Sequence, residues 1–583
     1  MPESTGRLRQ RVSDLHASKL NSLRTPRAVV IGLLCLFLAV WFGTLDEREF
    51  FNPDEGRYAE IPREMLTTGD WITPRLNGLK YFEKPVLQYW ITAASYWVFG
   101  EEEWVARLWP AVSGLLTLLL VYYTGRRLAG VRIGVTAAAL LASSFQFFMF
   151  SQILTLDMGL TFFLTLVLSA FIASQDRRAK ATQRRNYAIL TWVAMALAVL
   201  SKGLIGAVLP TLVLAAYILI QRDWKLLGRL HWGWGIPVFL LVVAPWFVAV
   251  QLRNPEFFRF FFVHEHFGRF ALGEHHRPGA WYYFVGVLLI GSLPWSWAYI
   301  RATLGAWRTP ALKDFDVDLI RLLVIWVVVI TLFFSLSTSK LPGYILPVYP
   351  ALALLLGREV VCNWLSTRYL LGMFASGIFI VIAAPFVTYV PKFAADADLI
   401  VPYVPWVVAS GCTLAAGALL ALLMLRRYRL FALSAVGFGT LLSFQALLTG
   451  TESIEDQFSS ENLVETVLDK IGDFDAEAPF YSLDMYDQSL PHHLGRTVTV
   501  VSYQGELALG IKQEPERIVA TIEEFRQRWQ AREQGYAIMT QERYGKEQTV
   551  RTPMSLLASN RKAVIVARTA SSAANKKPRR PDR

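Results

Sequence analysis

The stretch VARLWPAVSGLLTLLLVYYTG, residues 105–125, contains a single charged residue, Arg107, and is followed directly by Arg126 and Arg127. An apolar run of about 17–25 residues is long enough to cross a bilayer as an α-helix. Basic residues at one end are typical of the cytoplasmic side. The stretch therefore predicts a spanning helix, with Arg107 near the other end, where its side chain can reach water.

The composition extends this interpretation to the whole chain of 583 residues. Hydrophobic residues make up 54% and charged residues only 18%, and the mean hydropathy is +0.36. Soluble globular proteins carry about 25% charged residues, so this composition excludes a disordered chain, a coiled coil and an ordinary soluble enzyme. The net charge of +12 favours contact with anionic lipid, not with nucleic acid. Three cysteines in or beside apolar stretches indicate neither a disulfide framework nor a metal knuckle.

Thirteen apolar runs are candidates for spanning helices, which predicts a polytopic α-helical membrane protein. The runs are 28–44, 105–125, 131–150, 157–174, 187–201, 203–221, 234–252, 280–300, 318–336, 341–358, 369–390, 403–425 and 429–450. A fourteenth stretch, 85–99, is short and rich in Trp and Tyr, which favour the membrane interface. We interpret it as an interfacial helix.

Basic residues support this choice of spans. Residues 1–27 hold six Lys and Arg against two acids, so they should be cytoplasmic, and with 85–99 excluded every second loop afterwards is basic as well. Those loops are 126–132, 175–185, 221–229, 301–316, 358–368 and 426–429. The first run is expected to be a signal anchor, the alternative being a cleaved signal peptide.

The character of the chain changes near residue 452. The segments PFYSLD, TVTVVS, YAIMT and AVIVA read as strands, and NLVETVLDKIG and PERIVATIEEFRQRWQA read as helices, the second opened by Pro515. We predict a small α/β domain on the outer side over residues 452–570, a membrane domain over 28–451 and a disordered basic tail over 571–583.

The polar residues best suited to chemistry gather on one predicted face. The outer loop 45–104 is long, charged and aromatic, and other outer loops contain Asp157, Lys202, the run HEHFGR at 264–269 and SKLPGY at 339–344. An ion-coupled transporter needs ionisable groups near the middle of the membrane, and the spans have few. An enzyme with its site at the outer water–lipid boundary fits better, with a flippase as the alternative.

The segment DEGRYAEIPREMLTTGDWITPRLNGLKYFEKP, residues 54–85, resembles the signature of the polyprenyl-phosphate-dependent sugar transferases related to the dolichyl-phosphate mannosyltransferases. Within that family it is most similar to the aminoarabinose transferases that modify lipid A. The resemblance implies a type C glycosyltransferase fold of many spans, with interfacial helices in the first outer loop and a periplasmic C-terminal domain.

The resemblance also implies a reaction at the outer face of the bacterial inner membrane. 4-Amino-4-deoxy-L-arabinose would pass from undecaprenyl phosphate to a phosphate of lipid A, which would lower attraction for polymyxin and other cationic peptides. The implied partners are the lipid-linked donor, lipid A and membrane lipids, and we expect a monomer. A related transferase acting on protein or another glycan is the alternative.

Asp54, Glu55 and Arg57 lie at the start of a helix in this loop. An acid there can favour the positive helix end or cap it, whereas the resemblance implies catalysis by Asp54, with Glu55 as a second candidate. Arg57, three residues after Asp54, is expected to pair with it or to contact a phosphate. Asp157, at the outer end of a span, has the same two interpretations, helix cap or catalytic acid.

Four further residues are expected to bind the lipid phosphate or the sugar. Lys84 stands before a proline at the start of an interfacial run, and Tyr81 belongs to the same motif. Lys202 lies in a tight outer connection, and Tyr344 follows a Pro-Gly turn. The alternatives are an ordinary lysine at the membrane edge for Lys84 and the aromatic belt for Tyr344.

Glu83, His264 and His266 offer ligands for a divalent metal ion such as Zn, Mg or Mn, since carboxylate and imidazole groups bind such ions. Their spacing is not a tetrahedral zinc pattern. The other interpretation is surface histidines without a metal, so no cofactor is required with certainty.

Overall fold

The computed structural model of the protein describes residues 27–268, 279–363, 367–389, 400–426, 428–457 and 459–568. Nearly all of the predicted cytoplasmic segment 1–27 and the whole predicted tail 571–583 lie outside these residues. The chain divides between Thr44 and Leu45 into two compact units, of which the first contains helix α1 (Arg27–Phe42).

From Leu45 to Thr449 the described residues are mostly helical. The α-helices are α2 (Asp54–Thr68), α3 (Leu87–Phe99), α4 (Glu103–Ala129), α5 (Val131–Ala142), α6 (Phe145–Gln152), α7 (Leu156–Ser174), α8 (Ala181–Lys202), α9 (Ile205–Gln221), α10 (Leu226–Arg229), α11 (Trp232–Arg253), α12 (Tyr283–Gly291), α13 (Ser296–Ala306), α14 (Leu319–Leu336), α15 (Tyr349–Asn363), α16 (Thr367–Ala383), α17 (Val404–Met424) and α18 (Arg429–Thr449). A π-helix covers Arg259–Gly268, a 3-10 helix covers Pro342–Val348, and β1 (Arg75–Leu76) pairs with β2 (Leu79–Lys80) in the first loop.

Each of the thirteen predicted runs overlaps a helix, but the count of thirteen spans is not confirmed. Seven helical runs among the described residues are long and apolar enough to cross a membrane, or nine if each of two bent pairs is one span. The predicted run 131–150 is broken into α5 and α6, bent by 68°, and 280–300 into α12 and α13, bent by 113°. Ser143-Ser144 lies at the first break. The second contains Leu293-Pro294, and proline lacks the N–H that continues a helix.

The predicted interfacial stretch 85–99 forms α3. Tyr89, Ala93 and Tyr96 are buried against the rest of the protein, whereas Trp97 is 79% exposed. Such a helix, buried on one side and exposing an aromatic ring at its end, is compatible with the membrane interface.

Four of the basic loops lie together on one face of the protein. Arg127 and Arg178 pair with Asp176 at 3.1 and 2.8 Å, Arg177 pairs with Asp316 at 2.7 Å, and Arg229 donates to the Asp316 carbonyl at 3.0 Å. These contacts join the loops 126–132, 175–185, 221–229 and 301–316. Such contacts are expected if the four loops lie on the same side of the membrane.

The C-terminal region contains a five-stranded sheet of order β4-β3-β5-β7-β6. Its elements are α19 (Glu461–Ile471), β3 (Phe480–Leu483), α20 (Leu490–Leu494), β4 (Thr499–Val501), α21 (Ala508–Gln513), α22 (Ile522–Ala531), β5 (Gly535–Thr540), α23 (Gln541–Thr549), β6 (Ser555–Ser559) and β7 (Ala563–Arg568). β3 is parallel to β4 and β5, and β7 is antiparallel to β5 and β6. All four predicted strands are present.

Two details of this region differ from the prediction. The helix expected to open at Pro515 begins at Ile522, because Val519 pairs with Val501 and the Thr521 hydroxyl accepts the Glu524 N–H as the N-cap. Strand β6 was not predicted; its burial is partial, as expected at a sheet edge.

The two faces of the sheet pack against different parts of the protein. Ala537 and Met539 face Phe525 and Trp529 of α22, whereas Ile538 joins a buried apolar cluster with Tyr58 and Tyr81 of the first loop. A Cβ on Gly56 would lie 2.5 Å from the Ser489 backbone nitrogen, so glycine permits the close approach of α2 to this region. The first loop is thus held between the helical body and the sheet.

Candidate active site

The first turn of α2 carries an ion-paired cluster. Arg57 Nη2 lies 2.8 Å from Asp54 Oδ1, and Arg57 Nη1 donates to the Tyr81 hydroxyl at 2.8 Å. The N-cap is Pro53, and the Asp54 side chain is 48% exposed. Asp54 therefore presents a carboxylate to the surroundings beside a buried arginine, an arrangement that the helix-cap interpretation does not require.

Arg57 has a third partner, which sequence analysis missed. Its Nη1 lies 2.8 Å from Glu506 Oε2, and Gln488 donates to Glu506 Oε1. Burial raises the pKa of Glu506, although the charge of Arg57 acts against that increase. Glu506 follows an apparently unremarkable Gln-Gly pair in the C-terminal region, and only the tertiary fold brings it to the loop.

Glu55 lies at the centre of a buried network. Arg48 donates to both its oxygens, with 2.9 Å between Nη2 and Oε1, and the backbone N–H groups of Phe51 and Leu154 donate at 2.9 and 2.7 Å. Burial alone would raise the pKa of Glu55, but the arginine charges and hydrogen bonds outweigh it and lower the pKa to about 2. These contacts are those of a residue that positions its neighbours.

The structure contradicts the environment that we predicted for Arg107. It was expected to reach water, but it is fully buried, with Nε 3.2 Å from Glu55 and Nη2 2.8 Å from Glu103. The two carboxylates and the Leu45 carbonyl replace water as partners of the guanidinium.

A second ion-paired cluster joins three predicted residues. Lys202, the last residue of α8, pairs with Asp157 in the first turn of α7, and its Nζ lies 5.5 Å from the centre of the Tyr344 ring. A Cβ on Gly343 would lie 2.6 Å from Asp157 Cγ, so glycine allows the turn before Tyr344 to pack on the carboxylate. Both ionic side chains are mostly buried, at 15% exposure for Asp157 and 13% for Lys202.

The two clusters belong to adjoining segments. Glu55, next to Asp54, accepts from Leu154, and Gln88 donates to the Thr155 carbonyl at 3.3 Å. The chain between these contacts and Asp157 is therefore tied to the first loop.

The motif around Lys84 lies against the segment before the π-helix. Lys80 pairs with Glu256 at 2.8 Å, and the rings of Phe82 and Phe257 are 5.3 Å apart. Lys84 Nζ donates to the Glu83 carbonyl at 3.1 Å.

The predicted metal ligands are placed only in part. His264 is exposed and stacks on Phe260, with 5.2 Å between ring centres. The side chain of His266 lies outside the described residues. No group of three metal-ligating side chains in the described part of the chain includes Glu83 or His264, so this site stays a prediction.

Two family profiles match the chain. The aminoarabinose transferase C-terminal domain matches residues 467–568, and the dolichyl-phosphate-mannose-protein mannosyltransferase family matches residues 29–261. The first match covers most of the sheet region, and the second contains Asp54, Lys84, Asp157 and Lys202.

Curated relatives are named undecaprenyl phosphate-alpha-4-amino-4-deoxy-L-arabinose arabinosyl transferases. One from Edwardsiella ictaluri is 33% identical over 56% of this chain and 58% of its own length. One from Pseudomonas fluorescens is 31% identical over 75% of this chain and 77% of its own length. The chain thus covers less than two thirds of the length of the first of these relatives.

A solved structure extends the similarity to nearly the whole chain. The crystal structure of ArnT from Cupriavidus metallidurans bound to undecaprenyl phosphate is 35% identical, with a TM-score of 0.88. The alignment covers 95% of this chain and 100% of that one.

Proposed function

The chain belongs to the aminoarabinose transferases of the dolichyl-phosphate mannosyltransferase-related family, and on this premise we propose that it transfers 4-amino-4-deoxy-L-arabinose from undecaprenyl phosphate to a lipid A phosphate. The observation that carries the proposal is the pair of carboxylate–cation clusters, Asp54 with Arg57 and Asp157 with Lys202. In each cluster the cation can contact a phosphate of the substrates, and the neighbouring acid can contact the sugar.

The reaction exchanges one phosphate for another at the sugar. The C1–O bond to the undecaprenyl phosphate breaks, its electron pair stays on the departing phosphate oxygen, and a lipid A phosphate oxygen forms the new C1–O bond. Fixed cations favour this step because they stabilise negative charge as it develops on the leaving group. We assign Arg57, Lys84 and Lys202 to the phosphates.

The acids have different tasks in this proposal. Asp54 and Asp157 stabilise positive charge on the sugar or hydrogen-bond its amine. A lipid A phosphate is largely ionised near neutral pH, so no strong base is needed to activate it. Glu55 keeps Arg48 and the 152–154 backbone in place, a positioning role instead of the catalytic one expected. Tyr81, buried and bonded to Arg57, holds that cation.

The presence of an apolar groove is an argument for a substrate with a polyprenyl tail. It measures about 460 Å³ and is lined by Val199, Leu204, Phe247, Phe257 and Phe262, among others. Val199 and Leu204 lie on either side of Lys202 in the chain, and Phe257 contacts Phe82, close to Lys84. An isoprenoid tail in this groove would bring its phosphate towards both lysines, with Tyr344 beside Lys202.

As a separate hypothesis, we propose that a divalent ion binds between Glu83 and His264. The contact between Lys80 and Glu256 keeps the two segments adjacent, and carboxylate and imidazole suit Zn²⁺. Two ligands do not complete a site, so no step of the mechanism depends on the ion. A metal content in the Glu83→Ala, His264→Ala double variant that is one equivalent per chain lower than in the wild type would support it.

The multi-pass chain is proposed to lie in the bacterial inner membrane as a monomer. The basic loops joined through Asp176 and Asp316 would face the cytoplasm, and the two ionic clusters the periplasm, where lipid A is modified. Neutralising lipid A phosphates would reduce binding of polymyxin-type peptides.

Mass spectrometry of lipid A tests the proposal. A strain lacking the gene is complemented with the wild type, Asp54→Asn or the matched control Asp46→Asn, an exposed acid of the same loop. We expect an aminoarabinose mass increment with the wild type and the control only. Unmodified lipid A together with labelled protein or glycan would favour the alternative acceptors, and no covalent product anywhere would favour a flippase.

A further inference from the structure

A different set of metal-ligating side chains lies where α4 meets the C-terminal region. Glu103 begins α4, Glu461 begins α19, and His493 lies in α20. One ligand atom from each lies within 4.8 Å of the other two. No other trio of His, Cys, Asp or Glu side chains in the described part of the chain is this close.

Two of these residues carry atoms that the protein leaves without a hydrogen bond. Glu103 Oε1 and His493 Nε2 are inaccessible to solvent and have no hydrogen-bond partner among the described residues. The other oxygen of Glu103, Oε2, accepts from Arg107 at 2.8 Å. A buried polar atom without a partner destabilises the fold, and most buried polar atoms in proteins are hydrogen-bonded or bind an ion or water.

We propose that Glu103, Glu461 and His493 bind a divalent cation, Zn²⁺ by preference. Imidazole nitrogen and carboxylate oxygen both bind Zn²⁺, and three protein ligands leave a fourth position for water. Mg²⁺ prefers a shell of oxygen ligands and fits less well. Each of the three residues keeps part of its surface exposed, although the two unpaired ligand atoms themselves are buried.

Such an ion would connect the membrane body to the C-terminal region. Arg107, which holds Glu103, also contacts Glu55 at 3.2 Å, so the ligand set is linked to the network beneath Asp54. The site shares no residue with Glu83 and His264 and does not depend on the proposed reaction.

Zinc binding to the untagged, full-length protein in detergent tests the proposal. Chelator-treated protein is titrated with Zn²⁺ alone by calorimetry, and the bound metal is counted by elemental analysis. We expect His493→Ala and Glu461→Gln each to bind one equivalent of zinc less than the wild type. The matched control Glu465→Gln, an exposed acid of the same helix, and the Glu83→Ala, His264→Ala double variant should retain that equivalent.

Unchanged stoichiometry in His493→Ala and Glu461→Gln would overturn the assignment, as would a wild type that binds no zinc. A variant that gains a spectroscopic signal controls for loss of binding through misfolding. In His493→Cys, Co²⁺ should produce a thiolate-to-cobalt charge-transfer band that Glu465→Cys lacks. A folded His493→Cys protein without that band would also refute the site.

Discussion

Arg57 Nη1 in the first loop lies 2.8 Å from Glu506 Oε2 in the C-terminal region, and both side chains are largely buried. The same guanidinium contacts Asp54 through Nη2, so Glu506 acts on the candidate acid through one intermediate residue. The C-terminal region therefore helps to orient the cation that we assign to a phosphate.

Glu506→Gln should weaken donor binding more than it slows the chemical step. Removing one charge-assisted hydrogen bond costs about 1.5–3 kcal/mol, which predicts roughly a 10- to 100-fold increase in the KM for the lipid-linked donor. Steady-state kinetics in detergent measure it, with the exposed Glu516→Gln as the control. A fall in kcat at unchanged KM would contradict a role in binding.

Glu64→Gln should change the pH dependence of stability. Burial, followed by the charge of Glu60, raises the pKa of Glu64 to about 8, against 4.5 for an ordinary glutamate. Between these values the folded protein holds a proton that the unfolded chain has lost, so this stabilising contribution is full below pH 4.5 and is lost as the pH rises through about 8. Glutamine stays neutral, can still accept the Gly78 N–H, and should reduce the loss.

Thermal unfolding of the wild type and Glu64→Gln from acidic to alkaline pH measures this difference. We expect the variant to gain stability relative to the wild type as the pH increases, by an amount on the order of 1–3 kcal/mol. Glu465→Gln should follow the wild type. Parallel curves for Glu64→Gln and the wild type would show that Glu64 is ionised in the folded protein.

Lys84→Ala and Arg57→Ala should lose affinity for undecaprenyl phosphate without losing the fold. Loss of a charge-assisted bond to the phosphate predicts roughly a 10- to 100-fold weaker Kd in detergent. Lys225→Ala removes an exposed lysine from the loop 221–229 and should bind like the wild type. Wild-type affinity in both site variants would remove them from the phosphate site.

Single cysteines at positions 102 and 178 test the proposed orientation. In a background without Cys35, Cys362 and Cys412, an impermeant thiol reagent should label Glu102→Cys in cells with a permeabilised outer membrane, and leave Arg178→Cys unlabelled. Both positions are exposed, so accessibility within the protein does not limit labelling. Labelling of Arg178→Cys without labelling of Glu102→Cys would indicate the opposite orientation.

The local elements were predictable because their causes are local. Apolar runs indicated the helix positions, and short runs rich in aromatic or β-branched residues indicated β3, β4, β5 and β7. The breaks after α5 and α12 were less visible, because flanking apolar residues continue past them.

The partners of the charged residues were not predictable, because they come from distant segments. We expected the Arg107 side chain to reach water, but in the interior it donates to Glu55, 52 positions earlier in the chain. The pairing of Asp157 with Lys202 required α7 and α8 to bring two separate parts of the chain together. Asp54, Arg57 and Tyr81 were found because they share one short motif.

Asp54→Asn should reduce turnover by about 100-fold or more while leaving the folded yield close to that of the wild type. The Asp54 side chain is 48% exposed and has Arg57 as its ionic partner, so an amide of the same shape can replace it without burying an unpaired charge. What the amide cannot supply is negative charge opposite the sugar as its bond to the phosphate breaks. Turnover of purified protein with the lipid-linked donor and lipid A measures this loss.

The pH profile separates this role from that of a general base. A base that removes a proton from an acceptor hydroxyl makes the rate rise until the base is fully deprotonated. An acceptor phosphate, whose second pKa is about 6, is already the nucleophile at neutral pH, so the profile should lack a basic limb from deprotonation of an acceptor hydroxyl. Asp46→Asn should turn over like the wild type. An Asp54→Asn protein that also did so would remove Asp54 from the chemistry and leave it as an acid that favours the start of α2.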